Sequence, residues 1–179
     1  MGRTEQLAAI QGELAEARRR AHDVAAVAGD AAWETPPAPG RWSAAQCLVH
    51  LNLTSRAFLP LIEDAIARGR GMPGGSGSHR MDVLGRLLWW ASTLRLPVKT
   101  TEAFVPSVDR PRTAVLSDFD VLQDAVVGLV AKAEGLDLRA LRVVSPFDAR
   151  LTYNLYSCFR LIAAHQRQHL RQAEQALRR

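Results

Sequence analysis

Four stretches of this chain repeat one spacing of apolar residues, and that spacing suits a single kind of secondary structure. Over residues 4–28, Leu7, Ile10, Leu14, Ala17, Ala21, Val24 and Ala28 follow one another by threes and fours, which lines them along one face of an α-helix. Cys47, His50, Leu51, Thr54, Phe58, Leu61, Ile62 and Ala65 do the same in a second helix. Its start is marked by Ser43 and Gln46, a spacing at which each side chain bonds the other's unpaired backbone N–H. Phe119, Leu122, Val126, Leu129 and Val130 define a third over residues 116–134, with Ser117 or Asp118 as its cap and Gly135 as its end. Leu155, Cys158, Ile162, His165, His169, Ala173 and Ala176 define the last, over residues 152–176. No segment sustains the alternation of half-buried strands, so the expected class is all-α.

The connectors set the topology. "GDAAWETPPAPGRWS" concentrates Gly and Pro and ends the first helix; Trp33 and Trp42 are expected to dock it on the bundle. "GRGMPGGSGS" reads as a mobile loop, and lacks the Gly-Lys-Ser/Thr ending of a phosphate loop. Residues 81–91 form a short extra helix bearing Trp89 and Trp90, followed by the proline-punctuated "LRLPVKTTEAFVPSVDRPR". A connector of that length can cross the molecule, so the third helix is free to run parallel to the second. The expectation is a four-helix bundle with a long crossover and one additional short helix, in a single domain over residues 1–179. One core is what 179 residues with 47% hydrophobic content can sustain.

Composition narrows the setting. Cys47 and Cys158 fit no disulfide framework or paired zinc motif, which predicts a reducing compartment. The N-terminus interleaves its apolar residues with Glu and Arg, unlike a secretory signal, and the apolar run "LLWWA" is far short of the roughly 20 residues that span a bilayer. A cytoplasmic protein without membrane contact is expected. The net charge of +5 raises the question of nucleic acid, but the arginines are scattered among acidic neighbours on helix faces and no recognition motif accompanies them. Nucleic acid is therefore not an expected partner.

Chemistry concentrates in the histidines. His165 and His169 stand four apart on the inward face of the last helix, which places their Cβ atoms about 5 to 6 Å apart and lets both rings reach one ion. His50 lies on the inward stripe of the second helix; His22 lies off the first helix's stripe and His79 falls in the glycine-rich loop. Three neutral imidazoles can hold a divalent transition metal, here nickel, zinc, iron or manganese, and leave positions for water or substrate. Hydrogen-bonded core histidines are the other reading, because periodicity does not show that the second and last helices are neighbours at matching heights.

Three passages resemble the DinB/YfiT-like metal-binding helical bundles: "RWSAAQCLVHLNLTSRAFLPLI", "SPFDARLTYNLYSCFRLIAAHQRQHLRQAEQAL" and "LRLPVKTTEAFVPS". The resemblance implies a bundle with a long crossover, often a homodimer, whose metal is held by one His of the second helix and an HxxxH pair of the last. Matched position by position, those ligands are His50, His165 and His169. Some such relatives are thiol S-transferases that join bacillithiol or mycothiol to an electrophile, which implies a low-molecular-weight thiol and a small-molecule substrate here. A branch that isomerises maleylpyruvate tends to carry Glu where this chain has His165, so an isomerase is not implied.

The expected function is thus a metal-dependent enzyme acting on a small molecule, a thiol S-transferase or a related metal-assisted hydrolase. The alternative is a non-catalytic dimeric bundle with a structural or sensory metal. Thr54, Tyr153 and Asn154 are candidate neighbours of the site. Arg80, Arg86 and Arg95 are candidates to hold a substrate's carboxylates, and Trp89, Trp90 and Phe104 to line its mouth or a dimer surface, with ordinary core packing as the other reading of the three aromatic residues.

Overall fold

The computed structural model describes residues 1–93 and 100–178. Helix α1 (Arg3–Val27) is followed by a single short helix, α2 (Asp30–Glu34), and then by α3 (Ala44–Gly69), α4 (Val83–Thr93), α5 (Arg112–Lys132) and α6 (Leu155–Leu177). A short antiparallel pair, β1 (Arg142–Val144) and β2 (Thr152–Asn154), closes the link between α5 and α6, with Val143 opposite Tyr153. The fold is an all-α bundle with this small sheet as its one departure among the described residues.

Side-chain pairs give the helix directions. Glu13 of α1 meets Arg160 and Arg167 of α6, and Arg20 meets Glu174, so α1 and α6 run parallel. Asn52 and Arg56 of α3 reach the Val115 carbonyl and Asp118 of α5, so these two also run parallel. Gln123 reaching Leu14, and Thr4 reaching Glu134, set α5 antiparallel to α1. Parallel α3 and α5 require the long crossover that the connector length suggested. Two apolar clusters fill the interior. One gathers Ile10, Leu14, Ile62, Val126 and Phe159; the other, nearer the C-terminal end of α1, gathers Ala21, Trp33, Leu48, Phe119 and Leu170.

Several boundaries differ from the sequence expectation. Helix α5 begins at Arg112 behind Pro111, leaving Ser117 and Asp118 inside it. Proline suits that position because its fixed φ and missing N–H cost a helix start nothing. The Arg112 guanidinium also donates to the Ala25 and Ala28 carbonyls at the end of α1. Helix α6 begins at Leu155 rather than near Thr152, because residues 152–154 pair as β2 and Asn154 then caps the helix by accepting from the Ser157 N–H. Three-residue strands are too short to show alternation. The glycine-rich loop is tied down by Arg3, which donates to the Gly75 and Leu136 carbonyls, and by Arg139 on the Ser76 carbonyl. Helix α3 continues through Pro60, whose exposed position keeps its missing hydrogen bond on the solvent side.

Candidate metal centre

The site starts at a helix cap. Ser43 Oγ accepts from the Gln46 N–H at 3.1 Å while Gln46 Oε1 accepts from the Ser43 N–H at 2.9 Å. This anchors the first turn of α3, and His50 stands about two turns on, nearer the start of the helix than its middle. Helix α6 passes antiparallel to α3, and its inward face delivers His165 and His169 to the same height. The three rings form a triangle with centroid separations of 5.1, 4.5 and 4.5 Å. One ring nitrogen from each lies within 4.8 Å of the others.

Hydrogen bonding orients the rings. His50 Nδ1 lies 2.8 Å from the Phe104 carbonyl; a carbonyl only accepts, so Nδ1 carries the proton and Nε2 keeps its lone pair. That lone pair faces Nε2 of His165 at 3.2 Å. Two nitrogens bound to one tetrahedral ion at about 2.0–2.1 Å stand about 3.4 Å apart, so the observed pair fits one ion with little adjustment. His169 Nδ1 is buried and has no protein partner, an orphaned donor atom of the kind a ligand relieves.

All three imidazoles are held neutral, the form that binds metal. Burial lowers the His50 pKa, opposed in part by its bond to Phe104. Burial also brings His169 to about 3, with His50 as a lesser cause and the Gln172 side chain opposing them. His165 falls well below its ordinary value through burial and the other two rings, although its residue retains some exposure to solvent. Among the described residues the cluster contains no carboxylate or thiol, so a divalent ion there would keep its full charge for an incoming anion.

Aromatic rings wall the cluster. Trp42 lies over His169 at 5.6 Å and against His50 at 4.8 Å. Phe147 stands 5.8 Å from His165 and packs edge-on against Phe104. Phe104, open between core packing and a mouth or dimer surface on sequence alone, is buried, and its carbonyl contact has no signature in the sequence. Phe147 sits beside a short Pro step that periodicity cannot place.

Other candidates fall elsewhere. The Thr54 hydroxyl donates to the Leu51 carbonyl of its own helix. Tyr153 is buried in β2 against Ser145, and Asn154 is engaged as the α6 cap and with the Arg80 carbonyl. Arg80 and Arg86 are exposed, and Arg95 lies outside the described residues. Trp90 is exposed, while Trp89 is half-buried with the Arg160 guanidinium 6.0 Å from its ring. His22 pairs with Asp120 on the surface and His79 stacks on Tyr156. Gln166, between the two histidines on α6 but off their stripe, is also buried, exchanging hydrogen bonds of 2.8 Å with Gln123 across the core. Cys47 and Cys158 are free and buried, as expected for packing residues. A cleft of about 420 Å³ is lined by α3, α5 and the stretch between Ala103 and Arg110, and contains none of the cluster histidines.

A helical bundle that closes three imidazoles on one another from two antiparallel helices defines a class of candidate metal-binding bundles. The family model of the DinB superfamily matches residues 13–173, and the chain belongs to that superfamily. No curated protein and no solved structure matches it. No helix among the described residues is long and apolar enough to cross a membrane.

Proposed function

We propose that the chain is a divalent-metal-dependent enzyme acting on a small molecule, with His50, His165 and His169 as the metal ligands and S-transfer from a low-molecular-weight thiol as the reaction. A related metal-assisted hydrolysis would use the same residues. The observation that carries the reading is the convergence of the three neutral imidazoles, with Nε2 of His50 and His165 at 3.2 Å. Membership of a superfamily associated with metal binding adds to it.

The chain's own part in the chemistry is positional. The Phe104 carbonyl holds His50 in the tautomer that presents Nε2, and an outer partner of this kind both orients a ligand and raises its basicity. His50 and His169 are buried and His165 is the residue of the three with some exposure, so a substrate would approach from the His165 side. A divalent ion held there would favour thiolate over thiol and hydroxide over water, supplying a nucleophile at neutral pH.

Burial of two of the three rings also suits a structural or sensory metal in a non-catalytic bundle. A structural ion would leave no exchangeable position, and its removal would lower the Tm strongly. The proposal extends to a homodimer in a reducing, cytoplasmic setting. Val83, Leu87 and Trp90 support the dimer as an exposed apolar stripe along α4, and the two free buried cysteines support the compartment.

Elemental analysis of tag-free protein, beside His50→Ala and His169→Ala, tests the site. Near-stoichiometric metal in the parent and its loss in both folded variants is the expected result. A parent that stays metal-free after incubation with zinc, nickel or manganese would return the histidines to the core. With metal in place, accelerated conjugation of a thiol to an electrophile would support the enzyme over the structural reading.

A further inference from the structure

His165 is the one residue of the three that is not fully buried, so a molecule reaching the cluster from solvent would approach on its side. Phe147 is the neighbour it finds there, with ring centroids 5.8 Å apart and planes inclined at 52°. Phe147 is itself partly exposed, yet it is not a loose surface side chain. Its ring is wedged edge-on against Phe104 at 4.9 Å and against Phe58 at 5.7 Å. Its backbone N–H donates to Ser145 Oγ at 3.3 Å, and Ser145 N–H in turn bonds the Leu151 carbonyl at 2.8 Å, closing the loop that carries it.

A rigid aromatic ring beside the open ligand has a chemical meaning. No carboxylate belongs to the cluster among the described residues, so what the protein offers next to the donor position is a π-surface rather than a charge. Aromatic rings prefer edge-to-face or offset contact with other aromatic rings, which adds selectivity beyond area burial of about two- to tenfold in binding. Trp42, also partly exposed, presents a second ring along His169 and His50.

We propose that the ligand taken at this site carries an aromatic group one or two bonds from its sulfur or oxygen donor, and that Phe147 is the residue selecting it. The inference rests on the metal reading above and adds the substrate class to it. A polar or purely aliphatic group would gain contact area from Phe147 but no geometric preference.

The test uses the full chain loaded with Co²⁺ as a spectroscopic probe. Phenylmethanethiol and cyclohexylmethanethiol, alike in size and differing in aromaticity, are titrated while the sulfur-to-cobalt absorption is followed. The parent is expected to bind the aromatic thiol several-fold more tightly. That ratio should fall to near one in Phe147→Leu, which keeps a side chain packed against Phe58 and Phe104, and return in Phe147→Tyr, with cobalt affinity unchanged throughout. Equal affinity of the parent for the two thiols, or a preference that survives Phe147→Leu, overturns the inference. Failure of cobalt to bind, visible before any thiol is added, instead removes the metal reading and the inference with it.

Discussion

His50 owes its orientation to a backbone carbonyl 54 positions away in the chain, and the other titratable side chains show how strongly surroundings outrank residue type. Cys47 is pushed up to about 12 by burial, and Cys158 is raised further for the same reason. Since the thiolate is the reactive form, neither should react with an aromatic disulfide reagent in the folded protein at neutral pH, while both should react in guanidinium. Rapid native labelling would show that one of them is a chemical group and not packing. His79 makes a sharper case. Its Nε2 accepts from the Arg3 guanidinium, and burial, aided by Arg3 and Arg139 and opposed by Asp137, lowers its pKa to about 4 from 6.5. A histidine that binds fewer protons folded than unfolded contributes stability that is present above pH 6.5 and lost as pH falls toward 4. The Tm of the metal-free protein should therefore fall across that window, and His79→Gln should show a shallower decline. Equal slopes would mean that His79 protonates freely in the native state.

At the scale of elements, the sequence was most legible where periodicity was long. All seven apolar positions assigned to the stripe of α1 are buried, and the Ser43/Gln46 cap forms with both of its bonds. It was least legible where a few residues act in concert, as in the β1–β2 pair or the cap of α6. Close helix approach is another case. A Cβ at Gly85 of α4 would come within 2.2 Å of Ser157 Oγ and 2.3 Å of Ser157 Cβ, so α4 lies on α6 only because that position is bare. Asp82 reinforces the junction by accepting from the Gly85 N–H and from the Ser157 hydroxyl. Gly85→Ala should destabilise the protein by about 1–3 kcal/mol through overpacking, despite alanine's better helix propensity. Chemical denaturation would measure it, and an unchanged midpoint would show that α4 is not held there.

For the molecule as a whole, the buried pair of Gln123 and Gln166 joins α5 to α6 across the centre of the bundle, and Gln123 also donates to the Leu14 carbonyl of α1 at 2.7 Å. Replacing one amide leaves buried polar atoms of its partner unpaired, at a cost of about 1–3 kcal/mol, although Gln123 keeps its bond to Leu14 when Gln166 is replaced; removing both leaves less unpaired. Gln123→Leu and Gln166→Leu should each lower stability, and the double variant should be more stable than the sum of the two predicts. Strict additivity in a double-mutant cycle would show that the amides do not act as a pair.

The sequence by itself determined the four long helices and the inward placement of His50, His165 and His169, because each follows from local spacing along one helix, and connector length permitted the parallel course of α3 and α5. It could not determine that Gln166 points inward, that Phe104 supplies the carbonyl on His50, or that Phe147 and Trp42 wall the cluster. Those facts depend on which helices become neighbours and at what relative height. The antiparallel packing of α3 against α6, with the 101–111 and 145–151 segments laid over it, decides the last two, and the pairing of α5 with α6 across the core decides the first. Nothing local to any one segment encodes the distance between two side chains on different helices, and the chemistry of this site lies in those distances.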